Sequence, residues 1–413
     1  MRGAKTDYDS SVMRPLLELQ AKNFRSLREV TVVLQPLNVL VGPNGSGKTN
    51  LLDLIAFLGD SVRLDLGPAL RKRGGYRRVR FRGKTAGAVE IHVKARVTAY
   101  SSLNAPDEYH LLFAGSRTRR RDQERSVVLR SEEFKFKRTK GKGRRITISG
   151  NDVRIIDEEP EGEGSTREIG LQSESLGLST LPKLSDREGG REIRRMADLF
   201  STFRIFDVNV EAARLPSPVP SGATVLMEDA SNLAAFLFYL HEETQSFKDL
   251  QEDACAMIPG LQAVEFEPVG GSTEAVAVRL RESGLSGLTN LAEASYGTIR
   301  VLALLALLYD PNPPLLTCVE EIDHGLHPYL FDRLIERVRE ASDRTQFLIA
   351  THSPALVNRL RPDELLVCER GSDGASQIPA IESEAVKALE DSMEGRIRLG
   401  EIWFAGSLGG VPE

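Results

Sequence analysis

The 413-residue sequence has few cysteines, few aromatic side chains and no long apolar run. Its three cysteines, Cys255, Cys318 and Cys368, lie far apart and form no C-x-x-C pair, so neither a disulfide framework nor a zinc motif is indicated. We expect buried, reduced thiols. The longest apolar run, residues 301–309, is far shorter than a membrane span requires. Residues 1–14 are polar and lack the apolar core of a signal peptide. We therefore expect a disordered leader, a cytoplasmic protein and no membrane partner.

The sequence also lacks a large excess of charge of either sign. Lys and Arg total 54, Asp and Glu total 59, and the net charge is −5. The whole chain therefore does not attract nucleic acid, and any such contact must come from a local cluster. The apolar and charged contents are typical of a folded protein, and the length suits two domains or one large α/β unit with insertions.

One segment carries a complete phosphate-loop motif. Residues 42–49 read Gly-Pro-Asn-Gly-Ser-Gly-Lys-Thr and match G-x-x-x-x-G-K-[ST], with an apolar strand predicted before them and a helix after them. The glycines let backbone N–H groups face phosphate oxygens, and the helix N-terminus adds its positive dipole end. Lys48 would reach the β- and γ-phosphates, and the Thr49 hydroxyl would ligate Mg²⁺. The residues expected to bind the nucleotide are Gly42, Pro43, Asn44, Gly45, Ser46, Gly47, Lys48, Thr49 and Asn50.

A second segment supplies the acids that a phosphate loop needs. The strand predicted over residues 315–320 ends in Glu320 and Glu321, which is the Walker B pattern. The first acid of this pattern holds Mg²⁺ through water, and the second polarises the attacking water. We assign Glu320 to the metal and Glu321 to general base catalysis. One strand later stands His352, at the edge where parallel sheets bind ligands, so we expect it to contact the γ-phosphate.

The spacing of apolar residues divides the chain into two kinds of structure. Residues 16–26, 30–34 and 89–100 alternate like half-buried strands, and weaker alternation predicts an antiparallel meander to about residue 156. Residues 157–191, rich in Glu, Gly and Ser, predict a mobile loop. Helices are predicted over residues 193–206, 232–243 and 246–257, and strands over residues 263–268 and 275–280.

The last third alternates helix and strand, which indicates a parallel sheet. Its elements are a helix at 297–309, a strand at 315–320, a helix at 329–342, a strand at 346–350, a helix at 354–359 and a strand at 364–370.

The motifs together resemble a known family. Residues 42–49, 295–300, 315–321, 323–328 and 351–353 look like the head of an ABC-type ATPase. Asn23-Phe-Arg-Ser26 and residues 399–410 are similar to its RecF/SMC-like stand-alone members. Those are predicted AAA family ATPases related to the ATPase part of overcoming-lysogenisation-defect nucleases. The resemblance covers residues 16–58 and about 230–370 well.

This resemblance implies an α/β fold: an ABC-type P-loop NTPase head with a mixed or parallel core sheet, an antiparallel β subdomain and an inserted helical region. The expected divisions are a leader (1–14), the N-terminal part of the ATPase core (15–84), a β-meander insertion with an acidic mobile loop (85–192), a helical and β lid (193–285) and the C-terminal part of the core (286–413).

The resemblance also implies a composite site. Ser295 and Gly297 would form the signature motif and contact ATP bound by a second copy, so that two chains sandwich two nucleotides. His352 would be the switch histidine, and Asp323 would lie in the loop that joins the two sites. The sequence departs from the family pattern at Tyr296, where Gly or Asp is usual, and at Glu320, which replaces the common Asp.

Two further features of the family are uncertain in this sequence. No glutamine occurs between Lys48 and Gln123, so the Q-loop cannot be placed. His324 and His327 stand at H-x-x-H spacing beside acids, which suggests a metal site, but their place in the motif favours loop packing and dimer contacts.

One basic cluster is a candidate nucleic-acid contact. Residues 71–84 hold eight basic residues and no acid, with Tyr76 and Phe81 among them, and shorter basic runs fall at residues 117–121 and 135–145. Arg and Lys neutralise phosphates, and aromatic rings can stack on exposed bases. The alternative is a solvated β-surface with charged loop tips.

The leading hypothesis is an ATP-binding and hydrolysing switch that dimerises around two ATP. It would act on DNA or on a separate effector such as a nuclease, in genome maintenance or anti-phage defence. The residues after Pro354 are too few for a ~100-residue Toprim domain, so we expect any nuclease to be a separate protein. The alternative functions are the ATP-binding subunit of an ABC transporter and a nucleotide-gated scaffold with almost no turnover.

Overall fold

The computed structural model describes ten ranges of the chain: residues 14–83, 87–120, 123–137, 143–158, 168–172, 175–183, 190–219, 224–270, 275–392 and 397–409. Residues 1–13 of the predicted leader, Lys84 of the basic cluster and much of the predicted acidic loop lie outside these ranges. None of the helices in the ten ranges is both long and apolar enough to cross a bilayer.

A five-stranded sheet forms the centre of the fold, and every neighbouring pair in it is parallel. Its strands are almost wholly buried, as expected of a sheet that is covered on both faces. In sheet order they are β10 (Arg204–Phe206), β15 (Leu316–Val319), β16 (Gln346–Thr351), β3 (Leu37–Val41) and β17 (Leu365–Val367).

A second, eight-stranded sheet is antiparallel and contains the predicted meander. It joins the N-terminal strands to the meander strands, because β1 pairs with both β2 and β4. In sheet order its strands are β2 (Leu27–Val33), β1 (Leu16–Phe24), β4 (Val89–Ala95), β5 (Asp107–Arg120), β6 (Gln123–Phe136), β7 (Gly143–Ser149), β8 (Asp152–Glu158) and β9 (Glu168–Gly170).

The helices cover the two sheets. The first group follows the phosphate loop or the meander: α1 (Lys48–Leu64), α2 (Leu66–Lys72), α3 (Tyr76–Val79), α4 (Gly177–Thr180), α5 (Gly190–Ser201) and α6 (Val210–Ala213). The second group belongs to the last half: α7 (Leu233–Glu243), α8 (Ser246–Met257), α9 (Tyr296–Leu308), α10 (Phe331–Ala341), α11 (Pro354–Val357), α12 (Ser383–Ser392) and α13 (Leu399–Phe404).

Two small sheets complete the described fold. One contains β11 (Ser217–Pro218), β12 (Leu261–Val269), β13 (Ala275–Glu282) and β14 (Leu288–Asn290), and the other pairs β18 (Glu369–Arg370) with β19 (Ser376–Gln377).

Alternate side chains of the parallel sheet enter two different cores. On β3, Val39 and Val41 pack with α9 and α10, whereas Leu40 packs with α1 and the antiparallel sheet. The P-loop helix α1 therefore lies in the core shared by the two sheets. Gln346 strengthens this junction, because its fully buried amide accepts from Leu16 N–H (3.1 Å) and donates to the carbonyl of Leu16 (2.8 Å).

Some local predictions need correction. The helix predicted over residues 193–206 ends at Ser201, and Arg204–Phe206 forms edge strand β10 of the parallel sheet instead. The loop predicted over residues 157–191 contains β9 and α4 in its described part. The strand predicted over residues 364–370 is split, because only Leu365–Val367 joins the parallel sheet. Cys318 and Cys368 are buried free thiols, but Cys255 is only partly buried.

Candidate nucleotide-binding site

The carboxyl ends of the parallel strands bring the predicted motifs to one edge. In the register, Phe206 lies beside Val319, Val319 beside Ile349, and Thr351 beside Val41. The residues that follow these strands, Glu320, His352 and the phosphate loop, therefore meet where parallel sheets bind ligands.

Two glycines give the phosphate loop its curvature. Gly45 has φ 83° and Gly47 has φ 113°, a region that side chains other than glycine rarely adopt. A Cβ at Gly47 would lie 2.1 Å from Ser376 Oγ, and a Cβ at Gly42 would lie 2.3 Å from the Cys368 carbonyl oxygen. Glycine is required at Gly42 and Gly47, because neighbouring atoms occupy the space that a side chain needs.

Lys48 is held inside the loop that precedes it. Its ammonium donates to the carbonyl oxygens of Gly42 (2.6 Å) and Pro43 (2.9 Å). Burial lowers the pKa of Lys48 from its ordinary value, although the charges of Glu321 and Asp323 act in the opposite direction. A partly desolvated cation with only carbonyl partners is suited to binding an anion.

A cavity of about 170 Å³ lies between the phosphate loop and the two glutamates. Its lining residues are Asn44, Gly45, Gly47, Lys48, Thr49, Asn50, Glu320, Glu321, Ala350 and Arg370. The structure thus brings the Walker A and Walker B residues to the two sides of one cleft.

The two glutamates differ in their electrostatic environment. Burial, followed by the charges of Asp207 and Glu321, raises the pKa of Glu320 above its ordinary value. A hydrogen bond to His324 lowers the pKa of Glu321. Glu321 therefore ionises more readily, whereas Glu320 would gain most from a cation that offsets the neighbouring negative charge.

Asp207 is a site residue that the sequence reasoning missed. It directly follows β10, and Glu320 N–H donates to the carbonyl of the preceding Phe206 (3.0 Å). The helix predicted to reach residue 206 concealed it. The available signal was a short apolar run ending in an acid, the same form as the strand before Glu320.

The cleft suits a magnesium-bound nucleotide. Ser46 Oγ is buried without a hydrogen-bond partner, the loop glycines leave backbone N–H groups free of side-chain obstruction, and Thr49 and Glu320 offer oxygen ligands. Among the residues of the ten ranges, no group of three or more His, Cys, Asp or Glu side chains could hold a metal by itself. Mg²⁺ commonly binds through one carboxylate, a hydroxyl, water and phosphate oxygens, which is the set that this cleft would complete.

The signature residues lie outside the cleft. Ser295 is exposed and caps α9, since its Oγ accepts from Thr298 N–H (3.1 Å). Neither Ser295 nor Gly297 is among the described residues that line the cavity. The signature turn therefore does not border this cleft in the described part of the same chain.

Asp323 and His352 flank the cleft without lining it. The Asp323 carboxylate is buried and accepts a hydrogen bond from Thr351 Oγ1, which fixes the loop after the Walker B strand to the end of β16. His352 is exposed, and its charge helps to lower the pKa of Glu321.

The basic cluster at residues 71–83 separates into three environments. Arg73 is buried, Arg78, Arg80 and Arg82 line a second cavity, and Arg71 and Arg77 are exposed. The ring of Phe81 is buried, and Tyr76 is partly buried and packs edge-on against Phe113, so neither ring is fully exposed for stacking on bases. The second cavity measures about 390 Å³ and shares Asn50 and Arg370 with the nucleotide cleft.

Arg73 joins this cluster to the P-loop helix. Its guanidinium, only 4% exposed, contacts Asp53 (2.8 Å) and Asp60 (2.8 Å), both on α1. Asp53 also pairs with Arg25 (2.5 Å), which lines the second cavity. Asp53 and Asp60 are seven residues apart, two turns along one helix face, and that spacing was a sequence signal for a shared basic partner.

A family model described as "AAA domain, putative AbiEii toxin, Type IV TA system" matches residues 37–358. The chain belongs to this AAA-domain family. The match spans β3, the phosphate loop, the signature turn, the Walker B strand and His352, which are the elements that form or flank the cleft. The predicted ABC-type ATPase of the RecF/SMC/OLD-like kind is confirmed, and the AAA-domain family implies nucleotide binding.

Curated relatives of this AAA-domain protein match over shorter stretches. The OLD nuclease of Thermus scotoductus is 48% identical over 56 residues, which cover 14% of this chain and 10% of the relative. The DNA replication and repair protein RecF of Beutenbergia cavernae is 29% identical over 148 residues, which cover 35% of this chain and 32% of the relative. The chain thus spans a third or less of the length of these relatives.

Solved structures similar to this AAA-domain protein include SMC heads. The SmcHead bound to the C-winged helix domain of ScpA has a TM-score of 0.48 at 14% identity, over 90% of this chain and 99% of that one. The Pyrococcus furiosus Smc head domain, bound to the C-terminal domain of ScpA, has a TM-score of 0.49 at 13% identity, over 93% of this chain and 100% of that one.

Proposed function

We propose that this protein is an ATP-driven switch that binds and hydrolyses Mg²⁺-ATP and closes as a dimer around two nucleotides. The observation that carries the proposal is the cleft in which Lys48 and Thr49 face Glu320 and Glu321. The signature residues Ser295 and Gly297 lie elsewhere on the same chain. One chain supplies both halves of an ATPase site, but not at the same place.

The residues of the cleft have separate tasks. Backbone N–H groups of residues 44–49 and the start of α1 would bind phosphate oxygens, and Lys48 would leave its carbonyl partners to face the β- and γ-phosphates. Thr49 and Glu320 would hold Mg²⁺, which neutralises the charge that develops on the phosphates. Glu321 would orient and deprotonate the attacking water, and its lowered pKa keeps it ionised at neutral pH.

The arginine-lined cavity supports a place for the rest of the nucleotide. The cleft of about 170 Å³ shares Asn50 and Arg370 with the cavity of about 390 Å³, which Arg25 and Arg80 also line. A triphosphate in the first space would lead its ribose and base toward the second. Part of the cluster predicted to contact DNA would then serve the nucleotide.

The exposed signature turn supports dimerisation. If two copies face each other, Ser295 Oγ and Gly297 N–H of one could donate to the γ-phosphate held by the other, as the family resemblance implies. Such an interaction needs ATP and cannot form with ADP, so the nucleotide state would control the assembly.

The first experiment measures binding, turnover and mass together. Calorimetry with Mg²⁺-ATP, phosphate release and light scattering are compared for the wild type and Lys48→Ala. We expect the wild type to bind, hydrolyse and shift toward twice its monomer mass with ATP, and Lys48→Ala to do none of these. If the wild type binds ATP but remains monomeric when ATP hydrolysis is prevented, the proposed dimer around two nucleotides is contradicted.

DNA or a separate effector is the proposed target of the switch. Arg71 and Arg77 are exposed, and among the relatives one is named a DNA replication and repair protein and another a nuclease. The family description, with its toxin and TA system, supports a role in defence. Membership of this family does not favour a transporter subunit.

Charge reversal tests the DNA contact. Arg71→Glu with Arg77→Glu is expected to weaken DNA binding and to lower the slope of log K against log salt by about 0.9 for each DNA phosphate that is no longer neutralised. The control is Lys248→Glu on α8, an exposed position outside the basic cluster. Equal affinity and equal slope for both variants would remove DNA from the proposal and leave the protein effector.

A further inference from the structure

The side chain of Glu321 has a partner within its own chain. His324 Nδ1 lies 2.9 Å from Glu321 Oε2, and both side chains are about half exposed. His324 follows Glu321 by three residues, and its backbone N–H donates to the Glu321 carbonyl (2.9 Å), which closes a turn around the glutamate. A general base held by a second side chain is the arrangement that keeps a catalytic group oriented.

The backbone of Glu321 is fixed as well. Glu321 has φ 47°, in the left-handed region that residues other than glycine seldom occupy. Arg300, buried on the signature helix α9, donates to the carbonyl of Glu321 (2.5 Å) and to that of Glu320 (3.3 Å). With its main chain fixed from α9, the orientation of the Glu321 carboxylate depends on His324.

Tyr296 connects His324 to the signature turn. The rings of Tyr296 and His324 lie 5.7 Å apart at 32°, and a Cβ on Gly325 would lie 2.5 Å from the Tyr296 ring. A Cβ at Gly297 would lie 3.1 Å from the Gly325 carbonyl oxygen, so the signature turn packs directly on the loop after Glu321. This packing explains the unusual residue at position 296, because the tyrosine ring fills the space above a glycine.

We propose that His324 is a positioning residue for the general base Glu321 and that Tyr296 acts through His324. The turn that meets the partner's ATP would then also set the base in its own cleft. This inference rests on the proposed ATPase function. It assigns a role to His324, which lies outside the phosphate-loop, Walker B and signature motifs, and to Tyr296, the signature position at which the sequence departs from the family pattern.

The test separates turnover from binding. His324→Ala is expected to lower kcat about 10- to 100-fold, as loss of an orienting partner does, while the KM for ATP stays unchanged because the phosphate loop is intact. His324→Gln keeps a donor at this position and should recover part of the loss. His327→Ala is the matched control, since His327 contacts Tyr329 instead of Glu321, and it should retain a larger kcat than His324→Ala.

The double variant tests the order of action. Tyr296→Ala alone should lower kcat by about 2- to 10-fold, the worth of one ring contact, and Tyr296→Phe should recover it. Tyr296→Ala combined with His324→Ala should be no slower than His324→Ala, because Tyr296 acts only through His324. If the losses in kcat of the two single variants multiply in the double variant, this order of action is overturned.

Dimerisation is measured alongside for each variant. Tyr296 is 42% exposed, so Tyr296→Ala could act by weakening the dimer. A kcat that recovers at protein concentrations where light scattering shows a complete dimer would overturn the positioning role. A wild type without ATP hydrolysis would refute the proposed function. Normal hydrolysis in His324→Ala, beside an inactive Glu321→Gln, would refute only this inference.

Discussion

The cleft at the end of the parallel sheet and the signature turn at Ser295 and Gly297 differ in how much of each is built within one chain. The cleft has buried strands on both sides, glycines where neighbouring atoms leave no room for a side chain, and a lysine already held in place. The signature turn is exposed, and Ser295 has no partner beyond its own helix cap among the described contacts. In the proposed dimer, one half would be preorganised for its ligand, whereas the other would acquire its ligand only through assembly.

This difference separates two kinds of mutational effect. A change inside the cleft half should alter stability or chemistry in the isolated chain. A change at Ser295, whose described hydrogen bonds lie within its own helix cap, should leave the isolated chain unaffected and appear only when ATP brings two copies together in the proposed dimer.

Glu321→Gln is expected to have the largest effect. Loss of the general base should reduce hydrolysis by about 10²- to 10⁴-fold while ATP binding remains, and the unspent ATP should hold the dimer closed. Phosphate release and light scattering check the two parts. The matched change Glu336→Gln on the outer part of α10 should leave both unchanged, and normal hydrolysis in Glu321→Gln would show that another group is the base.

Arg73→Met tests whether the cleft half is rigid because of its buried ion pairs. It leaves Asp53 and Asp60 without their central partner, so we expect a loss of about 3 kcal/mol in the free energy of unfolding, measured with urea. Lys72→Met is the control, because Lys72 contacts the same Asp60 (3.1 Å) from an exposed position and should cost less than about 1 kcal/mol.

The loss of unfolding free energy caused by Arg73→Met should depend on pH. Burial alone would raise the pKa of Asp60, but hydrogen bonds from Arg73 and Lys72 outweigh it and lower the pKa. The stability that a depressed carboxyl pKa contributes is present above the unfolded pKa and lost as pH falls through the folded pKa. The difference between wild type and Arg73→Met should therefore shrink in acid, and a constant difference would assign the loss to packing.

Ser295→Asp tests the signature half. Aspartate caps a helix as well as serine, so the unfolding free energy of the single chain should not change. Its charge would face the partner's γ-phosphate, and the ATP concentration needed for dimerisation should rise by ~10-fold or more. Ser295→Thr keeps both cap and hydroxyl. A stable Ser295→Asp protein that dimerises normally would show that Ser295 does not face the partner's nucleotide.

Asp207→Asn should have the smallest effect. The charge of Asp207 helps to raise the pKa of Glu320, so its removal should lower that pKa. Because Glu320 must be ionised to hold Mg²⁺, the acid limb of kcat/KM against pH should move to lower pH, with little change at neutral pH. Asp332→Asn on α10 serves as the control, and an unmoved acid limb would remove Asp207 from the site.

The cleft could be predicted from sequence because its parts are local. The phosphate loop and the pair Glu320 and Glu321 are each contiguous and follow apolar strands, and parallel strands bring such ends to one edge. Helix–strand alternation predicted that the central sheet is parallel, although it did not give the strand order. The family and the ABC-type head were confirmed.

The parts of the site that were not predicted depend on contacts between segments that are distant in the sequence. Asp207 was missed because helical spacing was extended across Thr202 and Phe203 into a three-residue strand, and such short edge strands have little periodicity. Arg73 was assigned to a surface cluster because its acids lie 13 and 20 residues earlier on another helix. A tyrosine at position 296 is explained by its packing over Gly325, and only folding brings these two residues together.

The position of β3 in the sheet also affects when the protein can fold during its synthesis. This fully buried strand lies between β16 and β17, and Asn38 contacts Phe347, 309 residues later in the chain. The ribosome adds about 5–20 residues per second, so the phosphate-loop strand emerges well before either neighbour exists. A nascent chain therefore carries an apolar segment with no native place for tens of seconds, and folding of the nucleotide core must await the final third. Release from the ribosome before residue 367 would leave a chain with the phosphate-loop sequence but without a phosphate-binding site.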